Sequence, residues 1–165
     1  MRTLIAGLGN VFESDDGFGS AVAAVVAGMT LPPGTEVHDF GIRGVHLAYQ
    51  LLEPYDLVVI IDAVARGGEP GTLYVIEHAP DDNRPGGATL DAHDMAPDEV
   101  LALVPVLGGV LGRVMIVGCE PAVMAPGMEL SVPVARSVEA AAQLTVEIVQ
   151  ENIEAAAADR VRIGG

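Results

Sequence analysis

Leu57-Val58-Val59-Ile60-Ile61-Asp62-Ala63 is the stretch on which the reading of this chain turns. An unbroken apolar run dominated by β-branched residues fits a strand buried on both faces, as in a parallel sheet covered by helices, and not a strand with one wet face. Asp62 stands directly behind that run, and a carboxylate there must reach solvent at the sheet edge or find a partner.

Reading outward in both directions, short β-branched runs alternate with longer alanine-rich stretches of helical period. Arg2 to Ala6 reads as a strand, Asp16 to Met29 as a helix, Glu36 to Phe40 as a strand and Val45 to Glu53 as a helix. Beyond the central run, Thr72 to Glu77 alternates and suits a more peripheral strand, and residues 79 to 96, rich in proline, glycine and aspartate, read as a long surface loop. Pro97 to Leu107 then fits a helix, with Pro97 at its first position and Asp98 and Glu99 in the first turn, where the helix dipole favours acids. Val114 to Val117 is another buried strand, Val134 to Ala158 a closing helix, and about 159–165 a loose tail. The order predicts an α/β fold: a single three-layer domain over 1–165, with a mainly parallel twisted sheet covered by helices on both faces.

Composition excludes several partners. The chain has 8 arginines and no lysine against 23 acids, a formal net charge of -15, and no cluster of arginines to overcome the resulting repulsion of a polyanion. Aromatics make up 4% of residues and tryptophan is absent, so the stacking platforms of single-strand binders are missing too. No nucleic acid is expected as a partner. Nor is a membrane: the uncharged run Val100 to Gly112 carries Pro105 and three glycines and stops at Arg113, short of the ~20 residues of a span. Residues 1–7 hold too few apolar side chains for a signal peptide, which predicts a cytoplasmic protein. Cys119 is the one cysteine, so neither an intrachain disulfide nor a cysteine-only metal site can form.

In open α/β sheets ligands bind beyond the carboxyl ends of the strands, which directs attention to the polar residues there. Gly7-Leu8-Gly9-Asn10 invites a dinucleotide reading, but Phe12 stands where the third glycine is needed, and Glu13, Asp15 and Asp16 would repel a pyrophosphate. The same opening is similar to that of peptidyl-tRNA hydrolase, although the histidine which that family places shortly afterwards is absent. Asp15 and Asp16 precede a helix; capping needs one acid, so two in succession leave one spare. His93 lies in the long loop. If that loop folds over the sheet edge, its imidazole with the carboxylates of Asp16 and Asp62 makes an N/O ligand set suited to nickel, zinc, manganese or iron. Cys119 has no activating base beside it, and adjacent Glu120 would raise its pKa, so a thiol nucleophile is not expected.

Taken together, Gly7-Leu8-Gly9-Asn10, Asp15-Asp16-Gly17-Phe18-Gly19, Asp39-x-Gly41-x-x-Gly44, Asp62-Ala63, His93 and Gly118-Cys119-Glu120-Pro121 resemble the hydrogenase maturation proteases, in order and over nearly the whole chain. The resemblance implies a cytoplasmic endopeptidase that removes the C-terminal extension of a nickel-iron hydrogenase large-subunit precursor after nickel insertion. It implies Asp16, Asp62 and His93 as the metal-contacting and catalytic residues. Family members often carry Glu where this chain has Asp16, and the usual Ser-x-His context around the histidine is absent. Asp39 with Gly41 and Gly44 looks like a second loop lining the substrate cleft, where the glycines let backbone approach an extended peptide, and Asn10 of the first motif is assigned to the same cleft. Nickel would be supplied by the substrate, and no organic cofactor is expected. A non-enzymatic metal-binding or chaperone-like docking module for a metalloprotein subunit is the alternative, distinguished by leaving the precursor's C-terminus intact.

Overall fold

The computed structural model describes residues 1–79 and 96–163. Five strands and four helices follow one another as β1 (Thr3–Leu8), α1 (Phe18–Ala27), β2 (Thr35–Gly41), α2 (Gly44–Gln50), β3 (Leu57–Ala63), β4 (Leu73–Glu77), α3 (Pro97–Val106), β5 (Arg113–Cys119) and α4 (Val132–Ile163). A short 3-10 turn, Ser14–Gly17, leads directly into α1. The sheet order is β2-β1-β3-β5-β4. β1 pairs in parallel with β2 and β3, and β3 with β5; β4 alone runs antiparallel, along the outer edge of β5.

The central run behaves as its composition requires. Leu57 to Ile61 are buried throughout, and alternate residues feed two separate cores. Leu57, Val59 and Ile61 join Ile5 and Val117 under α1 and α4, where Phe18, Val22, Val26 and Val149 close the layer. Val58 and Ile60 join Leu4, Ala6 and Ile116 on the opposite face, under Leu47 of α2 and Val100, Leu101 and Val104 of α3. Each fully buried aliphatic side chain contributes about 1.5–3 kcal/mol, so the two layers together make the sheet the rigid floor on which the loops rest.

Two differences from the sequence reading have physical causes. Asp62, expected just behind its strand, is the penultimate residue of β3, because pairing with β5 continues through Asp62–Gly118 and Ala63–Cys119. The tail expected from about residue 159 is instead helical through Ile163: Ala155 to Ala158 are strong helix formers, and no glycine or proline stands between Pro133 and Gly164. His93 and most of the expected 79–96 loop lie outside the described residues.

Candidate functional site

The connection from β1 leads through α1 to β2 on one side of it, whereas β3 lies on the other side, so the strand order reverses between β1 and β3. A crevice opens at such a point above the carboxyl ends of the strands. Asp16 follows β1 and Asp62 lies one residue before the end of β3, and both line one pocket of about 220 Å³ there, together with Gly9, Gly41, Ile42 and Met124.

Each carboxylate is positioned by its own backbone. β1 ends at Leu8, and Gly9 then takes a φ of 122°, a conformation reserved for glycine; a Cβ at Gly9 would also strike the carbonyl oxygen of Asp16. The 3-10 turn therefore packs its backbone against Gly9, and the Asn10 N–H donates to Asp16 Oδ2 at 2.7 Å. Asp62 shares a strand face with Val58 and Ile60, and emerges where the apolar layer stops. It remains 8% exposed, and its Oδ1 accepts the Ala63 N–H at 2.8 Å. Two carboxylates in one small pocket repel one another and attract a cation. Ala96, three residues beyond His93, lines the same pocket. Among the described residues no three His, Cys, Asp or Glu side chains are grouped to hold a metal; the histidine of the expected set lies outside them.

A second cavity of about 310 Å³ adjoins the first along Gly9, Gly41 and Ile42 and is also lined by Asn10, Phe12, Asp39 and Arg43. Here Asp39 Oδ1 accepts the Ser20 hydroxyl at 2.8 Å and the Gly41 N–H at 2.9 Å, while Asn10 Oδ1 accepts the Phe12 N–H at 2.9 Å. Gly41 has a φ of 54°, and its carbonyl accepts the Gly9 N–H at 3.0 Å, so the two glycines form the floor between the cavities. Gly44 does not reach either lining; it is buried at the start of α2.

Neither aspartate of the Asp15-Asp16 pair caps a helix with its side chain, contrary to the simplest local reading. Asp15 is fully buried and points the other way from the pocket, into the segment after β5. Its carboxylate accepts the N–H groups of Ser131 at 2.6 Å and of Ala122 and Val123 at 2.8 Å, and the Ser131 hydroxyl at 2.9 Å. Burial pushes this carboxyl upward, yet the bonds from Ser131, Val123 and Ala122 outweigh it and hold the group below the ordinary carboxylate range. The adjacent acids thus divide their work, one tying two loops together and the other facing the cleft. The sequence showed the pair but not this division, because Asp15's partners lie more than a hundred residues away.

Glu120, read from sequence as part of a motif and as a neighbouring charge on Cys119, is a second such tie. Its Oε2 accepts the Arg66 N–H at 2.7 Å and the Tyr74 hydroxyl at 2.9 Å, and Oε1 accepts the Gly67 N–H at 3.1 Å. The Arg66 N–H is the main reason that this carboxyl lies below its usual range. Cys119 is completely buried, its Sγ 3.3 Å from Ser137 Oγ. Burial pushes its thiol up, and the charges of Asp15 and Glu120 add to the effect, the opposite of what a nucleophilic thiolate needs. No helix among the described residues is long and apolar enough to cross a membrane.

The comparisons with known proteins agree with this fold. Residues 21–148 match the family model described as hydrogenase maturation protease. The chain is 31% identical over 154 residues to the hydrogenase expression/formation protein HupD of Rhizobium leguminosarum bv. viciae, covering 90% of this chain and 74% of that one. Among solved structures, it is similar to a hydrogenase 2 maturation peptidase from a Thaumarchaeota archaeon, with a TM-score of 0.68 and 27% identity over 91% of this chain and 99% of the other. The fold also matches the hydrogenase maturating endopeptidase HybD of E. coli, with a TM-score of 0.76 and 24% identity, covering 92% and 94% of the two chains.

Proposed function

The chain belongs to the hydrogenase maturation protease family of peptidases, and on that premise we propose that it removes the C-terminal extension of a nickel-iron hydrogenase large-subunit precursor once nickel has been inserted. The observation that carries the reading is the pair of carboxylates, Asp16 and Asp62, brought from two different strand ends into one 220 Å³ pocket. In this reading Asp16, Asp62 and His93 recognise nickel already held by the substrate, and the metal arrives as part of the cargo.

Two carboxylates and one imidazole suit a borderline divalent ion, but three ligands on separate segments give only modest affinity for a free one. Nickel presented by a precursor adds the precursor's own binding surface, and the combination is far stronger than either part. Docking through the metal places the neighbouring peptide bond over the pocket, converting an encounter between two proteins into an effectively unimolecular step. Nickel there can polarise the scissile carbonyl or activate water, and a carboxylate of the pocket serves as the base.

The test is incubation of the purified protein with the precursor in apo and nickel-loaded forms, with loss of the C-terminal peptide followed by mass spectrometry. Cleavage of the loaded form alone, with no metal added to the protease, is expected. Processing should also weaken as pH falls below ~6.5, where an unperturbed histidine protonates and cannot ligate. Equal cleavage of both forms would remove nickel recognition from the account. A precursor left intact in both would leave a docking module.

A further inference from the structure

The most anomalous surface on the molecule is the segment after β5. Residues 121–128, Pro-Ala-Val-Met-Ala-Pro-Gly-Met, carry no charge in a chain whose formal net charge is -15. Most of these side chains are nevertheless exposed, with Met128 at 75% and Met124 at 54%. Across from them the segment after β1 presents Phe12 at 62% and Val11 at 43%. An uncharged apolar strip of this kind on a highly charged protein marks an interaction surface.

The strip is also held rigid. The Ser14 N–H donates to the Gly127 carbonyl at 2.8 Å and the Gly127 N–H to the Phe12 carbonyl at 2.9 Å. The Ser14 hydroxyl donates to the Ala125 carbonyl at 2.8 Å, and the buried carboxylate of Asp15 pins both ends of the second segment, at Ala122–Val123 and at Ser131. Two prolines stiffen it further. A backbone fixed in place before binding loses little freedom on contact, which is the condition for an efficient docking surface.

We propose that this lip, formed by Val11, Phe12, Val123, Met124 and Met128, is the docking surface for an apolar patch on the folded body of the peptidase's protein substrate. The inference rests on the proposed function. Continuity with the cleft selects the occupant: Met124 lines the carboxylate pocket, and Val11 and Phe12 line the cavity beside it. Whatever enters the pocket as part of a folded protein brings its surrounding surface onto the lip. Methionine side chains adapt to a partner's contour, and an exposed aromatic supplies the anchor. The lip thus selects a folded protein, whereas the pocket selects a metal and a peptide bond.

The experiment measures kcat and KM on nickel-loaded hydrogenase large-subunit precursor for the wild-type protein, Phe12→Ser/Met128→Ser, and Val106→Ser/Val110→Ser. The last pair, 79% and 83% exposed, lies toward the amino edge of the sheet and removes comparable apolar surface far from the cleft. The lip variant should raise KM tenfold or more with kcat nearly unchanged and an unaltered unfolding midpoint, while the distant pair behaves as wild type. An unchanged KM in the lip variant overturns the proposal. So does a concentration-dependent dimer that the lip variant abolishes without a change in KM, because the lip would then serve a second copy of this chain. Absence of cleavage by the wild-type protein is a separate result, and counts against the peptidase reading itself. In that case complex formation with the precursor, measured by calorimetry, decides the lip alone: equal affinity of wild-type and lip-variant proteins overturns it.

Discussion

Asp15 and Asp16 are neighbours in sequence and opposites in role, and their substitutions should separate accordingly. Asp16→Ala or Asp62→Ala removes a pocket carboxylate and is expected to abolish precursor processing while the protein still folds, as read by mass spectrometry of the precursor and by circular dichroism. Asp15→Ala takes the charged acceptor away from three part-buried N–H donors and should cost about 3 kcal/mol, read from the urea midpoint at neutral pH. The pH dependence has a definite sign. Because the folded carboxyl lies below its ordinary value of about 3.9, the stability it supplies is complete above that pH and is lost as pH falls through the lower folded value. The gap between wild-type and Asp15→Ala stability should therefore narrow below pH 4, and a constant gap would contradict the assignment. Cys119→Ala should keep substantial processing, because the thiol is buried and its pKa raised; a folded Cys119→Ala protein without activity would establish a thiol mechanism instead.

At the scale of elements, α1 approaches the sheet closely. A Cβ at Gly19 would collide with the carbonyl oxygens of Leu8 and Ile61, so α1 can sit over β1 and β3 only with glycine there. Gly19→Ala should cost about 3 kcal/mol, the upper end of overpacking, or prevent folding, measured by thermal unfolding; a neutral effect would mean that α1 can retreat from the strands. Gly19 was legible in the sequence only as part of a motif, whereas the elements themselves were plain. Leu57 to Ile61 could be little else than a central strand, and the other strands and helices fall within a few residues of their apolar patterns. The site was legible in part. Position behind a strand marked Asp62, the strand-end rule directed attention to Asp16, and the family resemblance marked Asp39. The tie made by Asp15 and the one made by Glu120 were not legible, because a carboxylate's choice among distant N–H groups leaves no periodicity. The segment 121–128 was passed over for a related reason: it has neither a helical nor a strand period, and its character appears only when its exposure is seen beside its lack of charge.

For the molecule as a whole, charge and apolar surface act at different ranges. A net charge of -15 sets up a long-range field that repels nucleic acid, and binding of tRNA or DNA should be undetectable in a filter or gel-shift assay at physiological salt. Tight, salt-sensitive binding would instead restore the comparison with peptidyl-tRNA hydrolase. Within about a Debye length the balance changes, because the lip is uncharged and offers contact surface where the field offers only repulsion.

The Asp15 tie also has a bearing on when the protein becomes competent. It joins positions 107 to 116 residues apart, so the lip cannot exist until β5 and the segment behind it have been synthesised and laid against the first strand. Loop closures of that length are completed late in folding, after local structure has formed. A nascent chain that has not yet extended past Ser131 has β1, β3 and both pocket carboxylates, yet it has no assembled lip with which to engage another protein. If the lip is the docking surface, competence for docking is timed by chain length, and a copy still on the ribosome is a silent one.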